Sequence, residues 1–197
     1  MKSSLLILVS GSVLAIGACA KHDNAANNVA TDMNMTDTNM TMDNGVSANA
    51  AMPEAGAMTA QGFANAAAAS DHFEIESSKL AAGSAKSAAV KSFAQKMIDA
   101  HTASTAKLKG IASGMSPAVT PDDTLTAEQQ STLDSLKGKT GADFDSAYAA
   151  AQVDAHQKTL DALKAYAASG DNAQLKTFAS GMVPTVTAHL NMAKALK

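Results

Sequence analysis

From Phe63 onward, apolar residues recur at intervals of three and four, and runs of β-branched residues are missing. That is the period of amphipathic helices. It predicts four long helices and one short segment. The first helix runs from about Met58 to Ala82 and is punctuated by Gly83. The second runs from about Ser87 to Ser113, with Val90, Phe93, Ala94, Met97, His101, Leu108 and Ile111 along one stripe. A loop with Pro117 and Pro121 follows. The short segment, about 126–136, opens on Thr126 with Gln129 three residues later, a Thr-x-x-Gln capping box, and Gly138 and Gly141 close it. The third long helix spans about Ala142 to Ser169 and aligns Ala149, Val153, His156, Leu160, Leu163 and Ala167. Gly170 ends it, and Asp171 is placed to cap the next. The fourth covers about Asn172 to Leu196 and aligns Leu175, Phe178, Met182, His189, Ala193 and Leu196. Pro184 lies within it and is expected to kink it. Helices of this length with short links predict an all-α fold, an up-down-up-down four-helix bundle over 61–197.

The N-terminal pattern is of another kind. Lys2, an apolar run from Leu5 to about Ile16, and small residues leading to Cys19 read as a secretory signal over 1–18, too short to span a bilayer. Ile16-Gly17-Ala18-Cys19 has the form of a bacterial lipobox, and Cys19 is the only cysteine of the chain. Cys19 is thus the expected lipidation site, and the lipid anchor makes the membrane a partner. Ala20 is not the aspartate of an inner-membrane retention signal, which points to the outer membrane, periplasmic face. Residues 19–60 are rich in Asn, Ala, Met, Thr and Asp and almost devoid of branched or aromatic side chains. They cannot bury enough apolar surface to fold and are expected to be a disordered tether.

Charge narrows the function. Loss of Lys2 with the signal takes the formal charge from −3 to −4, and all basic residues are lysines. Without arginine or a basic patch, nucleic-acid recognition is set aside. No Gly-x-Ser-x-Gly elbow is present, and no enzymatic activity is expected.

The candidate chemistry lies in the histidines. His22 is in the tether; His72, His101, His156 and His189 fall one per long helix. A rise of about 1.5 Å per residue from the hairpin turns puts these four within roughly 9 Å of one another along the bundle axis. Three readings stay open: hydrogen-bonded packing residues, ligands of a metal ion, of which two or three could converge, or another role such as a pH-dependent switch. Glu76, four residues after His72, is a candidate carboxylate partner. Asp99 is turned away from His101, whereas Tyr148 and Gln152 share the side of His156 and are candidate partners of a buried imidazole.

The segments "FANAAAASDHFEIESSKLA", "VKSFAQKMIDAHTAS", "FDSAYAAAQVDAHQKTLDAL" and "LKTFASGMVPTVTAHLNMAKAL" resemble the four successive helices of the bacterial "domain of unknown function 4142" family, envelope proteins with a ferritin-like bundle. The resemblance covers about 62–196. It implies that Glu76, His101, Tyr148, His156 and His189 match the family's recurrent polar positions, whereas Ala100 stands where an aspartate is expected. Ferritin-like di-iron sites use Glu-x-x-His pairs, and this chain has none. A histidine-rich site for a divalent transition metal such as Zn, Cu or Ni remains allowed. Met33, Met35, Met40 and Met42 form two Met-x-Met pairs in the tether, soft donors suited to Cu(I) but lacking a preformed partner set. The first reading is therefore an envelope lipoprotein whose bundle is a non-catalytic binding or stress-related module. The second is a histidine-dominated periplasmic metal-binding protein using Glu76, His101, His156 and His189, with His72 as a fifth ligand.

Overall fold

The structure, a computed structural model, describes residues 58–196. These residues form five α-helices and no strand: α1 Ala60–Ser84, α2 Ala88–Ser113, α3 Ala127–Lys137, α4 Gly141–Ser169 and α5 Ala173–Lys194. Each end falls within two residues of the boundary read from the sequence, because the ends carry explicit stop and start chemistry. Thr59, Ser87, Thr126 and Asn172 each accept a backbone N–H of the first turn, an arrangement that stabilises a helix by about 1 kcal/mol. Thr126 and Gln129 form the reciprocal capping box. Two assignments change. Asn172 caps α5, while Asp171 accepts the Tyr166 hydroxyl at 2.9 Å. Gly141 opens α4 instead of closing α3, with a φ of +63° that a side chain would resist. α5 continues through Pro184. Cys19, His22 and the Met-x-Met pairs lie outside the described residues, whereas Met58 packs against the apolar core.

α1 packs on α2, and α4 on α5, as hairpins with three-residue links. α1 also packs on α4, and α2 on α5, so each long helix touches two others, and α3 lies against α1 and α4. Polar pairs fix the antiparallel register of α1 and α4: Ser70 with Thr159 at 2.8 Å, Ser77 with Gln152 at 3.2 Å, Ser78 with Tyr148 at 2.7 Å. The long helices therefore run up-down-down-up and not in the expected up-down-up-down order, because the α2–α3–α4 connection returns the chain to the α1–α2 link before α4 begins. The Asp145 carboxylate, near the start of α4, accepts the backbone N–H groups of Lys86 and Ser87 in the α1–α2 link. The longer α2–α3 connection is fastened to α1 by Gln61, which bonds Thr120 through both its amide nitrogen and its oxygen, and by Asn65, which accepts from Asp122 N–H.

The buried interior is divided along the helices. One apolar cluster holds Phe63, Leu108, Leu163, Tyr166 and Phe178, with Phe63 stacked on Tyr166 at 4.0 Å. The other holds Val90, Phe93, Met97, Phe144 and Tyr148. On α1, α2 and α4 the chain passes from one cluster to the other through buried polar residues: Asp71 to Ser78, His101 to Ser104, Gln152 to His156. α5 contributes His189, beside the Leu190 of one cluster and four residues before the Ala193 of the other. Among the described residues no helix is long and apolar enough to cross a membrane.

Candidate metal centre

The polar layer is built from one residue per turn on the inward stripe of each helix. His101, His156 and His189 occupy stripe positions of α2, α4 and α5, and all three are buried. Their rings form a nearly equilateral triangle, with centroids 5.7, 5.7 and 5.5 Å apart. One nitrogen from each lies within 4.8 Å of those of the other two. Bonds of about 2.0–2.1 Å to a zinc-like ion separate two ligands by at most about 4.2 Å. Drawing the rings in by about an ångström would bring the three into ligand range.

Each ring is held from behind. His101 Nδ1 donates to Asp71 Oδ1 at 2.7 Å, and the same carboxylate accepts the Thr105 hydroxyl at 3.1 Å. His156 Nδ1 donates to the Gln152 carbonyl at 2.8 Å, one turn back on its own helix. These bonds leave Nε2 of His101 and of His156 free, and both are buried without a hydrogen-bond partner, as is Nδ1 of His189. Three orphaned imidazole nitrogens at one place are costly in a purely structural layer, at about 1–3 kcal/mol each. They are what a metal ion needs, and a carboxylate or carbonyl behind a histidine is the usual support of a metal ligand.

The electrostatics agree with that use. Burial pushes His156 down to about 3, helped by the charge of nearby His101. Burial likewise lowers His189 to about 4. Both are neutral, with a lone pair to donate, across the physiological range. Burial also acts to lower His101, but the Asp71 hydrogen bond and the charges of Glu74 and Asp71 outweigh it and raise it above the ordinary value. Desolvation pushes the Glu74 carboxyl up to about 7, against the opposing pull of His101.

Of the expected ligands, the structure brings three together and leaves two aside. Asp71 takes the inward position on α1, so His72, about 100° further round, turns out and pairs through Nδ1 with the Asp123 carbonyl at 2.8 Å. Glu76 lies at the surface in an i,i+3 pair with Lys79 at 2.7 Å. Tyr148 and Gln152, the candidate partners of a buried imidazole, are buried, but their side chains bond Ser78 and Ser77; the contact with His156 is made by the Gln152 backbone. Asp99 points away, bonded to Gln95. Two residues were not singled out beforehand. Asp71 and Glu74 are both buried, and Glu74 Oε1 lies 3.5 Å from His156 Nδ1. The signal was there: Ala64, Ala68, Asp71, Glu74, Ser78 and Ala81 recur at three and four, the same stripe that carries the histidines on the other helices.

Comparison with known proteins bears on the family and the fold. The model of the family described as domain of unknown function DUF4142 matches residues 45–196. Among solved structures, CopM in its Cu(II)-bound form is similar with a TM-score of 0.60 and 14% identity, over 71% of this chain and 95% of that one. At that identity the likeness shows the fold alone. No curated protein sequence matches the chain.

Proposed function

The chain belongs to the DUF4142 family, and from that premise we propose that it is a cell-envelope metal-binding module, with His101, His156 and His189 as the ligands of one divalent transition-metal ion. The observation that carries this reading is the convergence of three buried imidazoles, each with an unpartnered ring nitrogen. Three neutral nitrogen donors without thiolate suit Cu(II), Zn(II) or Ni(II), and the affinity order of such sites favours Cu(II). The similar CopM was captured with Cu(II), which supports trying copper first. When bound, the ion would link α2, α4 and α5 through one centre. Asp71 would orient His101, and the Gln152 carbonyl would orient His156. The module binds without catalysing.

The four long helices are read as a ferritin-like bundle of up-down-down-up order with α3 as a side cover, a reading supported by their pairing and by the CopM likeness. The bundle is held at the periplasmic face of the outer membrane by lipid on Cys19 through the 19–60 tether. Acyl labelling of the parent, and its loss in Cys19→Ala, is the outcome this requires; a label that persists would sink it.

The deciding experiment for the metal is titration of the untagged chain with Cu(II), Zn(II) and Ni(II), read by elemental analysis and thermal melting. One ion per chain is expected, and an ion at a hundredfold its Kd stabilises the folded state by about 2.7 kcal/mol. His101→Ala and His156→Ala should each remove most of the bound metal and of the melting shift. Variants that load and respond like the parent would make the triad a packing layer.

A further inference from the structure

Asp71 and Glu74 are the two acidic side chains buried among the described residues, and no lysine is buried with them. They stand three residues apart on α1 and therefore share a face. Asp71 has partners in His101 and Thr105. Glu74 has none for either oxygen, although it is only 1% exposed and its Oε1 lies 3.5 Å from His156 Nδ1. A buried carboxylate without hydrogen bonds is expensive. Filling space does not account for it, since glutamine or methionine would occupy a similar volume.

Charge matching does account for it. A divalent ion on three neutral imidazoles brings two positive charges into a low-dielectric interior, where uncompensated charge is strongly unfavourable. In their ionised forms the two carboxylates supply two negative charges behind the ligands. A monovalent ion on the same ligands would leave one negative charge uncompensated. We propose that Glu74, together with Asp71, sets the valence preference of the triad, favouring Cu(II) over Cu(I). Glu74 acts through the field at His156 and is a specificity-determining residue, not a ligand. This inference rests on the metal-binding reading above.

The test measures the affinities of the full chain for Cu(II) and for Cu(I) separately, each in competition with a chromogenic chelator, Cu(I) under anaerobic reducing conditions. Glu74→Gln should weaken Cu(II) at least tenfold and change Cu(I) less than threefold. A tenfold differential raises the reduction potential of the bound copper by about 59 mV for one electron. Glu74→Met, similar in volume and apolar, should behave alike, which guards against a fold effect peculiar to one variant. Glu74→Asp keeps the charge and should retain the parent preference within threefold. Equal weakening of both ions, or no change in either, overturns the valence proposal and leaves the metal site standing. A parent that binds neither ion removes the site and this inference with it.

Discussion

At the residue scale, the support behind the triad makes a sharper prediction than the triad itself. Asp71 touches His101 through one oxygen and Thr105 through the other, so Asp71→Asn keeps the shape but loses the charged acceptor. Removing such a support typically lowers metal affinity about 10–100-fold, and isothermal titration of the variant with Cu(II) should show a loss of that size with helicity unchanged. Glu76→Gln should leave affinity at the parent value, since that side chain is engaged with Lys79 at the surface. A drop in the Glu76 variant and none in the Asp71 variant would reverse the assignment. The same pair of residues shows where the sequence was readable. A histidine on an otherwise apolar stripe stands out, and the three placed in this way, His101, His156 and His189, converge. On α1 the stripe is largely alanine and serine, so its phase is faint. A step of two residues, from Glu74 to Glu76, rotates a side chain about 200° from core to solvent.

At the element scale, the α4–α5 hairpin is closed by a compact latch. Tyr166 stacks on Phe63, its hydroxyl donates to Asp171, and Gly170 follows directly against the Tyr166 ring. A Cβ on residue 170 would sit 2.6 Å from both Tyr166 Cε1 and the Tyr166 carbonyl oxygen. Backbone or ring must move to admit it, and Gly170→Ala should destabilise the protein by about 1–3 kcal/mol in urea unfolding. Tyr166 adds a pH signature. Burial, with Asp171 adding to it, pushes its hydroxyl up to about 12 from 10. A folded-state value above the unfolded one means that the contribution is complete below pH 10 and lost as pH rises toward 12. The stability difference between parent and Tyr166→Phe should therefore shrink over pH 10–12, with lysine titration common to both. A constant difference across that range would show the hydroxyl to be unperturbed. Helix ends were legible because Thr59, Ser87, Thr126 and Gly170 are local signals. The Asn172 cap was missed because adjacent Asp171 is an equally good capping residue, and only the tertiary position of Tyr166 decides between them.

At the scale of the whole molecule, the periodicity foretold the number and length of the helices but not which long helices touch. That order depends on pairs such as Ser70–Thr159 and Ser78–Tyr148, distant in sequence and unremarkable within it. The resulting core is interrupted by a layer containing two buried acids and three buried histidines, with six of its side-chain polar atoms unpartnered. For stability alone this layer is a poor choice, since replacing a buried polar set as a whole by apolar residues of similar volume is often neutral or stabilising by about 1–4 kcal/mol. A chain with Asp71, Glu74, His101, His156 and His189 all changed to leucine or methionine should join the two apolar clusters into one. It should melt at or above the temperature of the metal-free parent and show no shift on adding Cu(II). Single replacements behave differently, because each leaves the other members buried and uncompensated; His156→Ala in particular deprives Glu74 of the imidazole beside it and should lower the melting temperature. If the fully apolar variant failed to fold while the singles were tolerated, the layer would be specifying the packing of the helices. The opposite pattern, a more stable protein that has lost only its response to metal, is the one expected of a layer kept for binding.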